Sequence, residues 1–562
     1  MLNSWIWKIG LTTTVLTALT CTTEDLSPNQ FSPPSYCPGQ KNCLAEGDNI
    51  FKAGAGKASI TASPGEKLSL DVNGNAEYDP LDGDEFDDEN QNGRFDGAWI
   101  AGFGNGRAAS GVRDEQWARA IALTKNETTI VLVSLDVVGY FYDEVELVRE
   151  SVADLNIDYV SISATHTHEA RDTIGIWGLT EDDSGLDPSY MEYVREQIEV
   201  AIRAAVEGQR QASLRYTSLR TRDLPGGMIQ YQSDSRDPQI IDDELRAIHF
   251  LDTQNISIAT LINWGSHPEY LGDENSEFSS DFPHWLRRGI ERGVTGPDGA
   301  NQTGIGGIAV YFTGALGSQI GPGQAKLKTF SGDAVAKYSP EAAQVLGSQL
   351  AYYLLQNFSD ETKTTSEDSA QLGFAREEFF IDIQNRAYHT ALLKKLFDRK
   401  GYNWDDELTL IPGKNEPDVK TEIAIIDIGK AQIISVPGEL DPALFIGGYD
   451  GSHTPKDTPI VDTSTRVKNP PDLSQAPEGP YLRDLARSDA EYVMLFGLSN
   501  DMLGYFVPEF DYELHPYNPY FDEAEGDHYE ETNSVGIDGW PVIKKKLTAL
   551  LNWRQLQMRN TQ

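Results

Sequence analysis

Cysteine, positive charge and the signature motifs of several large enzyme classes are what this 562-residue chain has least of. Only Cys21, Cys37 and Cys43 are present, so nothing beyond residue 43 can be held by a disulfide. Lys and Arg number 46 against 87 Asp and Glu, a formal net charge of -41. Such a chain repels nucleic acid phosphates and anionic head groups at long range, which removes nucleic acid as a partner. There is no HExxH, no P-loop and no GxSxG elbow, which argues against several hydrolase and nucleotide-binding classes. What is present is apolar material: 39% hydrophobic and 10% aromatic residues suffice for a large core or two abutting ones.

The N-terminus reads as an export signal over residues 1–20. Lys8 is followed by IGLTTTVLTALT, a run too short to span a membrane, and then by Cys21. A lipoprotein signal places a small residue immediately before the acylated cysteine, whereas Ala18, Leu19 and Thr20 stand here. The expected destinations are therefore the periplasm, the cell surface through an N-terminal lipid at Cys21, or the medium. Cys37 and Cys43 lie close together in SYCPGQKNC and are expected to form a local disulfide in an oxidising compartment. Residues 21–50 are rich in Pro, Ser and Asn without apolar periodicity and read as a tether. Residues 51–562 show neither repeat nor clear linker and read as one catalytic domain.

Within that body TIVLVSLDVV is a near-continuous apolar run, the mark of a strand buried on both faces. Helical periodicity follows in DEVELVRESVADL, then the strand DYVSISATHTH, a strand-helix-strand unit with a parallel pair. Further apolar runs occur at SIATLINWG, IGGIAVYFTG, TEIAIIDIG, KAQIISV and EYVMLFGLS, and Ser339-Pro340 opens a helix. The expected fold is α/β, with a mixed, largely parallel central sheet flanked by helices and a metal site at the carboxyl ends of strands.

Alternation along DYVSISATHTH places Val160, Ile162, Ala164, His166 and His168 on one face, so two imidazoles point the same way. An HxH pair at the carboxyl end of a parallel strand favours a metal site over two satisfied core histidines. His267, Glu439 and Tyr505 each follow another apolar run, so four candidate ligands converge on one edge. Taken singly, His267 could be a loop residue, Glu439 a solvated cap and Tyr505 a packing aromatic.

The segments FKAGAGKASIT, GVRDEQWARAIAL, VSLDVVG, SATHTH, NWGSHP, VPGEL and GLSNDMLGY occur in the order found in the neutral/alkaline ceramidases, and from Phe51 onward the chain resembles the catalytic domain of that family. The resemblance implies a zinc ion held by His166, His267, Glu439 and Tyr505, and hydrolysis of a lipid-like N-acyl amide by a metal-activated water. His168, beside the metal, would pass a proton to the leaving amine, and Tyr529, in HYEE where the family has RYE, would donate a hydrogen bond to the oxyanion. The family's glycine-rich turn after HTH is replaced by EARDTIG. Its serine-bearing loop is represented by LGSQIGP, with Ser318 in place of the serine, and its substrate-contacting arginine by Arg222. No counterpart of the C-terminal β-sandwich of characterised ceramidases is expected after PVIKKKLTALLNW.

An acidic insertion covers residues 71–97. In DENQNGRFD, Asp88, Asn90, Asn92 and Asp96 alternate as oxygen ligands and Gly93 permits the sharp turn of an EF-hand-like calcium loop, although the bidentate glutamate at the twelfth position is missing. Other readings compete with the zinc amidase. An amidohydrolase-type barrel would need eight strand-helix units and gives Tyr505 no role. A calcium-stabilised exported surface protein with a degenerate ceramidase-like site, or a zinc hydrolase for a different amide or ester, would account for the altered LGSQIGP loop.

Overall fold

The computed structural model describes residues 35–36, 47–405, 414–464 and 468–559. The export signal, Cys21 with its expected lipid, and the expected Cys37 to Cys43 disulfide lie outside these residues. The long apolar segments form two sheets. The first contains β1 (Phe51–Ser59), β2 (Trp117–Lys125), β3 (Thr128–Leu135), β4 (Tyr159–Ala164), β5 (Arg210–Arg220), β6 (Glu244–Asp252), β7 (Ser257–Trp264) and β8 (Ile308–Thr313), in the order β8-β7-β6-β5-β1-β2-β3-β4, with Thr365–Glu367 added beside β5. The second contains β9 (Leu372–Asp382), β10 (Asp418–Ile428), β11 (Ala431–Ser435) and β12 (Tyr492–Phe496) in sequence order, with Ser35–Tyr36 at its edge. The main helices are α1 (Tyr142–Ser151), α2 (Pro188–Glu207), α3 (Phe282–Arg292), α4 (Pro340–Ser359) and α5 (Gly539–Arg559).

The α/β class, the mixed sheet with flanking helices and the β3-α1-β4 unit agree with the sequence reading. The parallel share is smaller than expected. Only β3/β4, β7/β8 and β11/β12 run parallel, each at a sheet edge, and the other neighbours in the two orders are antiparallel. Short turns enforce this, with Asn126, Asn255 and Gly429 at positive φ closing the β2/β3, β6/β7 and β10/β11 hairpins. The continuous apolar runs have a different cause from parallel order. The sheets pack face to face and helices cover their outer faces, so even antiparallel strands are buried on both sides.

The inner layer joins Phe51, Ile121, Leu132, Phe250 and Phe312 of the first sheet to Phe374, Ile426, Ile433 and Phe496 of the second. Phe312 and Phe496 stack across it with centroids 4.2 Å apart. Outside the first sheet, α2 packs on β1 and β2, while α3 and α4 cover the β7/β8 edge; α5 covers the second sheet. Two glycines permit the α2 contact, since a Cβ at Gly54 or Gly56 would lie 2.1 Å from the Ala205 carbonyl or 2.2 Å from that of Ala201. The helix starts follow local chemistry. The Ser339 hydroxyl accepts from the Ala342 amide at 3.2 Å, with Pro340 in the first turn.

The acidic insertion is an ordered internal repeat, which the sequence reading missed. Asp71, Asn73, Asn75, Tyr78 and Asp79 recur in the same spacing as Asp88, Asn90, Asn92, Phe95 and Asp96. Carboxylates staple each loop, with Asp71 accepting from the Gly74 and Ala76 amides and Asp88 from those of Asn92 and Gly93. The side-chain amides of Asn90 and Asn92 both donate to Asp96 at 2.7 Å. Tyr78, Phe86, Phe95 and Trp99 form the small aromatic core beneath, with centroids 4.9 to 5.6 Å apart.

Candidate metal centre

The parallel edges of both sheets converge at their carboxyl ends. Strand β4 ends at Ala164, so His166 and His168 lie in the following turn and do not alternate along a strand as the sequence suggested. His166 has φ +67°, a left-handed conformation that costs a residue with a Cβ and concentrates at functional sites. This turn, rather than the pleat, brings the two imidazoles together with Nε2 atoms 3.3 Å apart. His267 follows β7, Glu439 follows β11 and Tyr505 follows β12. Glu439 and Tyr505 are register partners in a short parallel ladder, Glu439–Leu440 against Tyr505–Phe506.

Outer contacts fix two of the imidazole tautomers. Nδ1 of His166 donates to the Val138 carbonyl at 2.6 Å, and Nδ1 of His267 donates to that of Gln319 at 3.1 Å. A carbonyl only accepts, so each ring turns an Nε2 lone pair inward. Those lone pairs meet Oε2 of Glu439 at 3.2 Å and 3.1 Å. The Tyr505 hydroxyl lies 3.3 Å from Nε2 of His267. Acceptors facing acceptors in a buried site repel one another unless a positive charge lies among them, and nitrogen and carboxylate donors are those zinc takes. The residues present therefore fit a zinc ion. Burial keeps the Tyr505 phenol protonated far above its ordinary value.

The side-chain ligand atoms of His166, His168 and His267 all lie within 4.8 Å of one another, so His168 is close enough to belong to the donor set. Its outer partner differs, however. Nδ1 of His168 is 3.2 Å from Oε2 of Glu269, and Oε1 of Glu269 accepts from the Gly321 amide. Burial lowers the His168 imidazole to about 4 against the opposing pull of Glu269, so the ring is neutral near neutral pH. The Phe103 ring stands on its edge, 5.0 Å between centroids. Glu269, in NWGSHPEY, is a site residue the sequence reading missed. Its signal was an acid two positions after His267, which pattern alone gives to the loop.

Directly behind, Glu169 and Arg107 form a fully buried ion pair at 3.1 Å, with Arg107 also donating to the His168 carbonyl. This pair occupies the place where EARDTIG replaces the glycine-rich turn. In front lies a cavity of about 460 Å³ walled by apolar side chains, among them Val138, Phe141, Ile174, Trp177 and Met502, with His166, His168, Glu269, Glu439, Tyr505 and Tyr529 at its polar end. The Tyr529 hydroxyl is 3.5 Å from that of Tyr505. Two expected residues stand elsewhere. Ser318 is buried but does not line this cavity, although its neighbour Gln319 orients His267. Arg222 pairs with Asp243 at 2.6 Å and donates to the Ser452 carbonyl, also away from the cavity.

No protein-family model and no curated protein matches the sequence. Solved structures do. The crystal structure of neutral ceramidase from Pseudomonas aeruginosa superposes with a TM-score of 0.57 at 14% identity, covering 91% of this chain and 75% of that one. This chain has the neutral ceramidase fold. A structure described as ceramidase complexed with C2 gives the same TM-score at 12% identity, over 90% of this chain and 75% of that one. The neutral ceramidase fold accounts for the order of the sequence motifs from Phe51 onward, each contributing a strand or the turn that follows it.

Proposed function

We propose that this protein is an exported zinc-dependent hydrolase that cleaves the amide bond of ceramide-like N-acyl lipids. The observation that carries this reading is the cluster of inward-facing acceptors on His166, His267 and Glu439, at the polar end of an apolar cavity. His166, His267, Glu439 and Tyr505 hold the metal. A zinc ion there supplies Lewis acidity, which makes a water nucleophilic near neutral pH. His168 is neutral and beside the ligands, so it accepts the proton that the attacking water loses and delivers it to the leaving nitrogen. Glu269 stabilises the imidazolium that exists between those transfers. The Tyr529 hydroxyl donates to the oxygen on which charge develops. The apolar wall takes the acyl chain and excludes water.

Ser318 and Arg222 have no part in this chemistry, because neither reaches the cavity. Their position supports a second reading, in which the same centre hydrolyses a different amide or an ester and recognises the head of its substrate through other residues. We assign calcium to the Asp88–Asp96 loop as a stabiliser, a reading supported by the equally spaced Asp71–Asp79 loop. Attachment through a lipid at Cys21 and free secretion both remain compatible with export. Incubating zinc-loaded protein with a panel of N-acyl amides and esters tests the function: fatty acid release from ceramides is expected, and release from esters alone would replace the amidase assignment with the second reading.

A further inference from the structure

Acidic as the chain is, one small cavity draws half of its lining from cations. About 240 Å³ in volume, it is bounded by Lys57, Arg119, Arg288 and Arg292, with Trp117, His284, Glu115 and Glu291. Lys57 and Arg119 are direct cross-strand partners in the β1/β2 register and share a face. Both lie against one ring, Lys57 Nζ at 4.4 Å and Arg119 Cζ at 5.4 Å from the Trp117 centroid. Like charges directly opposite one another destabilise a strand pair. Arg288 and Arg292 repeat the arrangement on α3 at i,i+4, where like charges also repel.

Of these four cations only Arg119 has an acid as partner, Glu291. Among the described residues, Lys57, Arg288 and Arg292 have no ion-pair partner, although acidic residues outnumber basic ones almost two to one. Glu291 is already engaged, accepting from Arg119 at 2.5 Å and from the Ala309 amide at 3.0 Å. Arg119 is buried, its Nη1 also donates to the Ala309 carbonyl, and its Nε has no partner. Burial and then the Arg119 charge depress the Lys57 ammonium, and burial with Arg287 lowers His284 to about 4, as expected in a positive local field. Two unfavourable like-charge pairs and an orphaned buried donor around one space are what a bound anion would reconcile.

We propose that this cavity binds a phosphate-type oxyanion, held by Lys57, Arg119, Arg288 and Arg292. Guanidinium forks and an ammonium from three different elements surround a compact multivalent anion better than a single carboxylate. Arg288 and Arg292 also line an adjoining cavity of about 750 Å³ that includes Trp285, Val294 and Phe330, which gives room for the organic part of a phosphomonoester. Free phosphate compounds and the head group of an anionic lipid share this chemistry.

The test uses the full zinc-loaded chain and its R288Q/R292Q variant, both residues being exposed and remote from the metal centre. Inorganic phosphate is titrated against chloride of matched ionic strength while Tm is followed. A saturating rise is expected in the wild type, with a midpoint at least about tenfold weaker in the variant, the loss of one charge-assisted hydrogen bond. Without phosphate the variant should melt no lower than the wild type, because a repulsive pair has been removed. Phosphate's general stabilising action and any binding at the metal affect both proteins alike, so an equal response in the two overturns the proposal. Sedimentation with phosphatidic acid vesicles, absent with phosphatidylcholine and reversed by phosphate, would identify a lipid head group as the ligand. A saturable phosphate response without such sedimentation would identify a soluble phosphate compound.

Discussion

His168 and His166 are two residues apart and face the same space, yet their outer partners give them different work. A backbone carbonyl fixes the His166 tautomer, as a metal ligand requires, whereas a carboxylate backs His168, as a ring that gains and loses a proton requires. His168→Ala should therefore keep its zinc and lose roughly 100- to 10,000-fold in turnover, the usual contribution of a positioned acid-base group. Single-turnover hydrolysis beside elemental analysis checks this, and unchanged turnover in a zinc-replete variant would refute the role. Glu269→Gln should likewise retain zinc and KM while kcat falls, and an equal loss of zinc would make Glu269 a structural support of the centre instead. At this scale the sequence was informative for His166, His267, Glu439 and Tyr505, because each comes just after an apolar run. It was silent on Glu269, whose partner is brought near only by the convergence of β4 and β7. Ser318 and Arg222 were stand-ins taken from segments that depart from the family's motifs, and a loop motif carries no information on where its side chain points.

The strand-helix-strand unit from Thr128 to Ala164 was legible because its apolar period changes from strand to helix and back. The antiparallel majority was not, since burial on both faces leaves the same apolar run whether a strand is sandwiched or parallel. The inner layer between the sheets should be sensitive to its contents. Phe496→Ala removes the ring stacked on Phe312 and should cost about 3–5 kcal/mol in denaturant unfolding, as expected for a buried phenylalanine. A loss near zero would mean that the layer collapses to fill the space. The insertion was half legible. Its second loop has glycine at the turn position of a calcium loop, whereas the first has Ala76 there and its glycine two positions earlier, which conceals the repeat. Calcium is expected to raise Tm in the wild type and to do so less in Asp88→Ala. No response to calcium would leave the loops held by their carboxylate staples and aromatic core alone.

Across the whole molecule, burial shifts several carboxyls upward: Glu530 to about 8, opposed by Arg236, Asp281 to about 7 and Asp114 to about 6. Between the unfolded value near 4 and these folded values, the native state holds more protons than the unfolded chain. Stability must then fall as pH rises through that window and level off above it. The net charge of -41 acts in the same direction through self-repulsion. Tm should accordingly be higher at pH 5.5 than at pH 8.5 in matched salt, to be followed by calorimetry; a rise with pH would show that these carboxyls are ionised in the native state. Neither the buried acids nor the two-sheet architecture could be read from composition, which records the charge but not where it is placed.

The central claim is that the acceptors at the parallel sheet edges form a zinc site, and zinc stoichiometry tests it most directly. After zinc loading and exhaustive dialysis, elemental analysis should give one equivalent in the wild type and in His168→Ala, and far less than one in His267→Ala. A full equivalent retained by His267→Ala, or none bound by the folded wild type, would contradict the account.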